Sequence, residues 1–363
     1  MKIYSSEDKK WMQRALSLAA LGRGFTSPNP LVGAVIINRY GELISEGFHY
    51  KAGTQHAEAM AFQNLTKDPT GGAIYVNLEP CCHYGRTPPC VNKIIDSGIR
   101  KVFIAIKDPD MRVSGKGIEL LNKNGIDIDL GLFESEAIEL NKEFIHRVTT
   151  GNSYGVLKWA MSIDGRISLK NGDSKWITNT KSRSKVHSLR AVFDAVVIGG
   201  NTLRKDNPLL TSRGRKSPEP LRVVFTKSLD LPQNSQLWDC DVAKTIVVYD
   251  SSTANEKYLQ RIPSCVEIHK LGSDNPQGLS KILAEKGCNK ILWECGPELA
   301  TSAMRRGCIQ EVITFISPKI LGGIKSMTPF SDFDFKKVDD SIILQRSRIS
   351  SYDGDLCSHF LIK

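Results

Sequence analysis

Short apolar runs alternate with amphipathic segments along the chain, and this alternation predicts an α/β protein. In the first half, the apolar runs 31–37, 73–78 and 101–106 predict buried strands. Ser6 can cap a first helix, whose apolar face comprises Trp11, Ala15, Leu18 and Ala19. The other predicted elements of this half are strands at 42–47 and 126–130 and helices from 56, at 90–96 and at 134–147.

A polar stretch at 149–153 interrupts this pattern, which then starts again with a strand at 155–161. Polar linkers of this kind are typical of domain boundaries, so the sequence predicts two domains, residues 1–150 and 151–363. No unit of about 20–50 residues repeats, which excludes a solenoid. The other predicted elements are strands at 195–198, 221–225, 245–249, 290–293, 311–316, 341–344 and 359–362, with helices at 181–190 and from 297 to 306.

Length and composition agree with two ordinary globular domains. The 363 residues are 40% hydrophobic and 24% charged, and no apolar run reaches the length of about 18 residues that a membrane span needs. Residues 1–8 are polar and acidic, unlike the apolar core of a signal peptide. We therefore expect a cytoplasmic protein that does not enter the membrane.

The net charge of +10, from 49 basic and 39 acidic residues, suits an anionic ligand. The basic residues are dispersed, and even the cluster 213–216 is too short for a nucleic-acid-binding arm. The charge therefore favours phosphorylated small molecules over nucleic acid as partners, with general solubility as the simpler explanation.

Three of the nine cysteines, Cys81, Cys82 and Cys90, are crowded together, and the odd total argues against a disulfide framework. A catalytic zinc ion keeps three protein ligands and one open position. His56, Cys81 and Cys90 can supply those ligands. Cys82 is an alternative ligand, although its side chain should point away if that of Cys81 points to the metal. A structural zinc site or a chance grouping of cysteines is the simpler interpretation.

Glu58, two residues after His56, is the candidate proton carrier for such a site. Residues two apart on a regular helix point to different sides, so both can face one metal ion only at a helix entrance. H-x-E followed by P-C resembles the zinc-dependent cytidine and nucleobase deaminases. One departure is the second thiolate, which lies nine positions after Cys81 and not at the usual C-x-x-C spacing.

Longer motifs resemble the deaminase of riboflavin biosynthesis. This resemblance implies a cytidine-deaminase-like α/β/α sandwich, Zn²⁺ as a cofactor and a pyrimidine pocket lined by Asn29. The matching segments are 26–33, 56–58, 78–90, 107–110 and 115–117.

The second half resembles the reductase domain that is fused to this deaminase, in segments 157–166, 174–178, 200–203, 206–210 and 294–299. The resemblance implies a dihydrofolate-reductase-like α/β domain that uses NADPH. It assigns to the cofactor Ala160, Trp176, Thr202, Asp206, Gly296, Pro297, Glu298, Leu299, Ala300, Thr301 and Ser302. It assigns to the substrate Ser174, Arg190, Leu210, Arg213 and Glu294.

The residues themselves support these assignments to different degrees. The chain has no G-x-G-x-x-G motif, so a Rossmann site is unsupported. Gly296 and Pro297 open a predicted helix after a strand, which offers free N–H groups to an anion. The guanidinium groups of Arg190 and Arg213 suit a phosphate monoester. Lys227 stands where the family often has a small hydroxyl residue near the cofactor. Simpler explanations are a core position for Trp176 and a solvated loop charge for Arg213.

The predicted function is therefore bifunctional. Zinc-dependent hydrolytic deamination of 2,5-diamino-6-(5-phosphoribosylamino)pyrimidin-4-one precedes NADPH reduction of the ribosyl group, which gives 5-amino-6-(5-phosphoribitylamino)uracil. One alternative is a tRNA or other nucleic-acid deaminase, although the second half lacks the interleaved basic and aromatic residues that base stacking needs. A zinc-stabilised regulatory module is the non-enzymatic alternative, and Glu58 argues against it. We also expect a homo-oligomer.

Overall fold

The computed structural model describes residues 3–82, 89–272 and 275–363. The chain divides into two compact units, and the division falls between Thr150 and Gly151. Within the described residues, no helix combines the length and the apolar character that crossing a lipid bilayer requires. Each unit has its own sheet and its own hydrophobic cores.

The first unit alternates helices and strands, as the hydrophobic pattern predicts. In chain order its elements are α1 (Ser6–Ala20), β1 (Gly33–Ile37), β2 (Leu43–Phe48), α2 (Ala57–Gln63), β3 (Ala73–Leu78), α3 (Cys90–Asp96), β4 (Lys101–Ile106), α4 (Lys116–Lys123), β5 (Asp127–Leu130), α5 (Glu134–Leu140) and α6 (Lys142–Thr150).

Helices cover both faces of the five-stranded sheet in this unit. The strand order is β2-β1-β3-β4-β5, with β1 antiparallel to both neighbours and β3, β4 and β5 parallel. Ile74 and Val76 of β3 share one core with Ala57 of α2, whereas Tyr75 shares another with Met12 of α1. Every position of β3 is buried because both faces are covered. The predicted α/β/α sandwich is confirmed.

Two helix boundaries in this unit differ from the prediction. The N-cap of α1 is Ser5 and not Ser6, and the Ser5 hydroxyl accepts a hydrogen bond from a backbone N–H of the first turn. The predicted helix 134–147 is two helices that meet at Asn141. The buried Asn141 side chain exchanges two hydrogen bonds with the backbone of Leu31, a distant contact that leaves no signal in the local pattern.

The second unit is also an α/β structure. In chain order its elements are β6 (Tyr154–Ser162), α7 (Thr180–Arg190), β7 (Ala195–Gly199), α8 (Gly200–Asp206), β8 (Leu221–Thr226), β9 (Thr245–Asp250), β10 (Glu267–Leu271), α9 (Pro276–Glu285), β11 (Lys290–Trp293), α10 (Pro297–Arg305), β12 (Glu311–Ser317), β13 (Leu344–Tyr352) and β14 (Asp355–Ile362), with short 3₁₀ helices at Gln236–Trp238, Glu256–Arg261 and Val338–Asp340.

The nine-stranded sheet of this unit has the order β10-β9-β8-β7-β11-β6-β12-β14-β13. Neighbouring strands from β10 to β12 in this order are parallel, whereas β14 is antiparallel to both of its neighbours. The carboxyl ends of parallel strands share one edge, and ligands of α/β sheets bind there. The loops that follow β7, β8 and β11 therefore meet at one edge of the sheet.

The end of the chain shows the largest error of the sequence prediction. The strand predicted at 341–344 is wrong, because β13 begins only at Leu344. β13 and β14 form a hairpin whose turn residues, Asp353 and Gly354, have φ angles of 56° and 92°. Asp-Gly with two positive φ angles is a preferred two-residue hairpin turn, a local signal that the prediction missed. The prediction also lacks α8, β10 and α9.

Candidate active sites

The three predicted zinc ligands lie together beyond the end of β3. His56 occupies the N-cap position of α2, Cys81 follows β3, and Cys90 is the first residue of α3. The Nδ1 atom of His56 is 3.5 Å from the sulfur of each cysteine, and the three donor atoms lie within 4.8 Å of one another. In the part of the chain that the structure describes, no other three metal-binding side chains converge in this way.

Two thiols and an imidazole are a donor set that zinc prefers. The pKa of the Cys81 thiol is lowered to about 4, first because the Cys90 thiol donates a hydrogen bond to its sulfur and further because His56 does so. The pKa of Cys90 is raised in turn, since its thiol is that donor and is buried. The low pKa of Cys81 favours its thiolate, the form that binds a metal, and the three converging donor atoms fit a zinc ion.

Glu58 lies beside this cluster in the first turn of α2, and only 3% of its surface is exposed. The extended backbone of His56 (φ −69°, ψ 159°) keeps that residue outside the helix. His56 can therefore contact Cys81 while the Glu58 carboxylate hydrogen-bonds with the Cys90 side chain. Burial raises the pKa of Glu58 to about 7, and the negative charge of Cys81 adds to this effect. A carboxyl group with such a pKa can accept and donate a proton near neutrality.

Asn29, the predicted pyrimidine contact, is held by a histidine that the sequence analysis did not single out. Asn29 Nδ2 lies 3.0 Å from His49 Nε2, and His49 Nδ1 lies 2.9 Å from the carbonyl oxygen of Gln55. Because a carbonyl only accepts, His49 Nδ1 carries the proton and Nε2 accepts from the Asn29 amide. Burial lowers the pKa of His49, in agreement with a neutral ring. The His49 ring stands 5.8 Å from that of His56.

Glu79 fixes the turn that leads to Cys81. Its buried carboxylate accepts hydrogen bonds of 2.9–3.3 Å from four backbone N–H groups, those of Asp108, Gly115, Gly117 and Ile118. The motif segments 107–110 and 115–117, which lie far from Cys81 in the sequence, therefore hold this turn in place through their backbone N–H groups. Residues 83–88, which complete the motif around the cysteines, lie outside the described residues.

The second unit contains a cavity of about 1080 Å³ at the carboxyl edge of its parallel strands. Its lining includes every residue that the sequence assigns to the reductase substrate and most of those assigned to the cofactor. These lining residues are Ala160, Ser174, Trp176, Arg190, Thr202, Asp206, Leu210, Arg213, Glu294, Gly296, Pro297, Glu298 and Leu299. Lys227 lines the cavity as well, so the departure from the family pattern places a lysine at this site.

Trp176 does not have the simpler role that its type allows, whereas Arg213 is an exposed loop residue. Trp176 is 62% exposed, and the Arg183 guanidinium lies 4.5 Å from the centre of its ring. An indole in this environment is not a core residue. Arg213 is exposed on its loop, and this loop contributes it to the cavity lining.

Helix α10 contributes its first turn to the cavity and not its later residues. Gly296 is the N-cap of this helix. Ala300 belongs to a hydrophobic core, and Thr301 is buried, where its hydroxyl accepts a hydrogen bond of 2.9 Å from a backbone N–H. These two residues and Ser302 lie outside the cavity lining, so their assignment to the cofactor lacks support from the side-chain positions.

Glu294, Lys158 and Arg190 form a buried ion-pair network in the cavity wall. Arg190 donates through Nε and Nη2 to the two carboxylate oxygens of Glu294 at 2.7 and 3.1 Å, and Lys158 Nζ lies 2.8 Å from Glu294 Oε2. Burial alone would raise the pKa of Glu294, but the two cations hold it well below its usual range. The guanidinium fork expected to bind phosphate thus holds Glu294. Lys158 is a site residue that the sequence analysis missed.

Comparisons with known proteins agree with both sites. Residues 5–106 match the cytidine and deoxycytidylate deaminase zinc-binding region, and residues 153–358 match the RibD C-terminal domain. The riboflavin biosynthesis protein RibD of Synechocystis sp. is 42% identical, over 93% of this chain and 91% of its own length. This chain belongs to the RibD family. The RibD of Aquifex aeolicus is 38% identical over 97% of this chain and 98% of its own length.

Solved RibD structures share the whole fold. The RibD of Acinetobacter baumannii superposes with a TM-score of 0.88 at 31% identity, over 98% of this chain and 99% of that one. The Thermotoga maritima protein, a diaminohydroxyphosphoribosylaminopyrimidine deaminase/5-amino-6-(5-phosphoribosylamino)uracil reductase, gives a TM-score of 0.87 at 33% identity with the same coverage. As a RibD protein, the chain is a bifunctional deaminase and reductase of riboflavin biosynthesis that uses Zn²⁺ and NADPH. The reductase match disfavours the alternative of a nucleic-acid deaminase with an accessory domain.

The choice of cysteine ligands in this RibD protein can be tested by substitution. Cys82 packs, partly buried, against the core that contains Val91, apart from the cluster of His56 and the other two cysteines. We expect Cys81→Ser and Cys90→Ser each to lose zinc during purification, because each leaves two protein donors. Cys82→Ser, the matched control, should retain it. Metal analysis of the three proteins decides this, and zinc loss from the Cys82 variant alone would show that the neighbouring thiol is the ligand.

Proposed function

We propose that His56, Cys81 and Cys90 hold the zinc ion of the deaminase and that Glu58 moves the protons of the reaction. The observation that carries this proposal is the convergence of three donor atoms within 4.8 Å beside a buried carboxyl group. Two sulfurs and one Nδ1 would occupy three positions of the metal and leave one open. When bound, zinc lowers the pKa of water and so provides a nucleophile near neutral pH.

Glu58 has the position and the pKa for proton transfer in both directions. In hydrolytic deamination, a water oxygen adds to the amino-bearing ring carbon and ammonia leaves. Both water protons must therefore leave the oxygen, one passing to the ring nitrogen and the other to the departing amino nitrogen. With a pKa of about 7, Glu58 can accept each proton and release it again within one turnover.

Asn29 and His49 are proposed to orient the pyrimidine. The hydrogen bond that the Asn29 amide donates to His49 Nε2 holds the amide in one orientation, so its position is set before the substrate arrives. The T. maritima relative is named for a diaminopyrimidine that carries a phosphoribosylamino group. We propose the same compound, 2,5-diamino-6-(5-phosphoribosylamino)pyrimidin-4-one, as the first substrate here.

The cavity of the second unit is the proposed reductase site. Its volume of about 1080 Å³ lies above the usual range of about 300–1,000 Å³ for one small ligand, which suits a dinucleotide together with a pyrimidine. Gly296, Glu298 and Leu299 at the start of α10 present backbone N–H groups to an anionic part of the cofactor, whereas Pro297 has none to offer. When bound, NADPH supplies the hydride that converts the ribosyl group to ribityl. Ala160, Trp176, Thr202 and Asp206 line the remainder of the proposed cofactor site.

The charged residues of this cavity have two proposed roles, which are the positioning of Lys158 and the binding of the substrate phosphate. Glu294 fixes the ammonium group of Lys158, which can donate a hydrogen bond to a sugar oxygen of the substrate. Arg190 keeps Glu294 ionised and in place. Arg213, whose guanidinium is exposed in the lining, is the proposed phosphate contact, with Ser174 and Leu210 as further substrate contacts.

Removing zinc should separate the two activities. After chelation of the metal from the full-length protein, ammonia release should fall to background, because three donors without a metal do not activate water. NADPH oxidation with the deaminated substrate should continue at the rate of untreated protein. Zinc added back should restore ammonia release. Loss of NADPH oxidation on chelation, with recovery on zinc addition, would contradict the placement of the metal at the deaminase site alone.

The cytoplasmic location and the homo-oligomeric state stay predictions of the sequence.

A further inference from the structure

The loop that carries Arg213 has an unusual backbone. Arg213 has a φ of 60°, in the left-handed region that non-glycine residues rarely occupy. Thr211 and Ser212, directly before it, are buried, whereas Arg213 itself is exposed in the cavity lining. A backbone in this region persists only where the surroundings restrain it. The loop therefore needs a partner that holds Arg213 in this conformation.

Glu219 is that partner. Its Oε2 accepts a hydrogen bond of 2.5 Å from Ser212 N, and its Oε1 accepts one of 2.9 Å from Gly214 N. These two N–H groups flank Arg213 on either side. One carboxylate therefore bridges the peptide groups before and after the strained residue, without touching the cavity itself. Although burial opposes ionisation, the hydrogen bonds from this loop lower the pKa of Glu219, so it is a carboxylate at neutral pH.

Contacts other than those with Glu219 also anchor the loop, although the Ser212 side chain hydrogen-bonds to the Glu219 carboxylate as well. The Ser212 hydroxyl accepts a hydrogen bond of 3.1 Å from Lys216 N, and Arg215 Nη1 donates to the Ser212 carbonyl at 3.2 Å. Lys216 Nζ donates to the backbone carbonyl of Phe193 at 2.9 Å. Loss of the Glu219 carboxylate should therefore free Arg213 locally, with the ends of the loop still attached.

We propose that Glu219 is a positioning residue of the reductase, which holds Arg213 against the phosphate of the substrate and so sets the preference for phosphorylated over dephosphorylated pyrimidine. It acts through Arg213 and contacts neither substrate nor cofactor. This inference rests on the proposed role of Arg213 as the phosphate contact.

The test uses Glu219→Gln in the full-length protein with two substrates, the deaminated phosphoribosyl compound and its dephosphorylated form. Glutamine keeps the size of the side chain but has a single acceptor oxygen, so at least one flanking N–H loses its partner. The KM for the phosphorylated substrate should rise about tenfold, as for the loss of one charge-assisted hydrogen bond. Neither its kcat, the KM for the dephosphorylated substrate, nor the dissociation constant of NADPH should change by more than about twofold.

A double-mutant comparison shows whether Glu219 acts through Arg213. Arg213→Ala should raise the same KM by at least as much, and adding Glu219→Gln to Arg213→Ala should have no further effect. Asp239→Asn is the matched control, since Asp239 Oδ1 also accepts from two backbone N–H groups, those of Asp241 and Val242, but lies outside the cavity lining. It should leave all constants at their wild-type values.

The outcomes are distinguishable. If Arg213→Ala leaves KM unchanged, the proposed phosphate contact is wrong. If Arg213→Ala raises the KM for the phosphorylated substrate but Glu219→Gln does not, the positioning role is overturned. The positioning role is also overturned if Glu219→Gln raises the KM of both substrates equally. Should Glu219→Gln fail to fold, Glu219→Asp serves instead, because its shorter carboxylate cannot reach both flanking N–H groups. The same selective rise in KM is then expected.

Discussion

Glu58→Gln should reduce ammonia release by about 10²–10⁴-fold or more while the protein retains its zinc. Glutamine has the shape of the glutamic acid side chain but cannot carry a proton between water and the departing amine. Steady-state ammonia release and metal analysis of the same protein sample measure the two parts of this prediction.

The control for this variant is Glu42→Gln. Glu42 is an exposed carboxylate of the same unit that pairs with Lys67 at 2.8 Å, so its loss removes a charge without touching the cluster. It should leave ammonia release at the wild-type rate. Near-normal ammonia release from Glu58→Gln would show that Glu58 is not the proton carrier.

Arg190→Ala should destabilise the protein by about 3 kcal/mol and abolish most reductase activity. Removing one partner from a buried ion pair leaves an uncompensated charge, which typically costs about 3–5 kcal/mol. Lys158 remains beside Glu294 at 2.8 Å, so we expect the lower end of that range. Urea unfolding gives the stability change, and NADPH oxidation gives the activity.

The second variant that completes this experiment is Arg190→Ala with Glu294→Gln. Glu294→Gln removes the carboxylate that balances the buried Lys158 ammonium, so this protein should be less stable than Arg190→Ala and should also lack the activity. If the double variant is as stable as the wild type, the Glu294 carboxylate does not stabilise Lys158 in the folded protein.

The same network predicts a dependence on pH. The folded protein holds the pKa of Glu294 below its usual range, so the resulting stabilisation is present above the ordinary carboxyl pKa and is lost as the pH falls towards the lowered value. Arg190→Ala removes a cation that causes this lowering. The stability difference between wild type and variant should therefore be largest near neutral pH and should narrow in acid. A difference that widens in acid would contradict this explanation.

The sequence predicts those elements well that depend on local pattern. Apolar runs bounded by turns, such as 73–78, 101–106 and 290–293, are strands with the predicted limits. The helix predicted at 134–147 fails because Asn141 bonds to a distant backbone segment. Packing partners far along the chain are not visible in a local pattern, and helix limits that depend on them cannot be predicted from it.

The residues of the candidate sites are likewise predictable where a local motif marks them and not where only a distant contact does. The residue types and spacing of His56, Cys81 and Cys90 point to zinc because few other functions need two thiols and an imidazole together. His49 follows a strand and belongs to no motif, so only its contact with Asn29 reveals it. Lys158 lies within the apolar strand β6, where its spacing carries no signal of chemistry.

Arg190 illustrates a different limit. Its type suits phosphate binding as well as carboxylate binding, and sequence alone does not distinguish them. The hydrogen bonds to Glu294 show which of the two groups its fork holds in the folded chain. Residue chemistry thus predicts that an arginine functions at this site, and the tertiary contacts define how.

The most direct test of two consecutive active sites in one chain follows ammonia release and NADPH oxidation together, in a reaction started from the diaminopyrimidinone. Wild-type protein should release ammonia first and then oxidise an equal amount of NADPH. Glu58→Gln should do neither from this substrate, yet oxidise NADPH at the wild-type rate when it is given the deaminated compound. NADPH oxidation by Glu58→Gln from the diaminopyrimidinone, without ammonia release, would contradict this order of reactions.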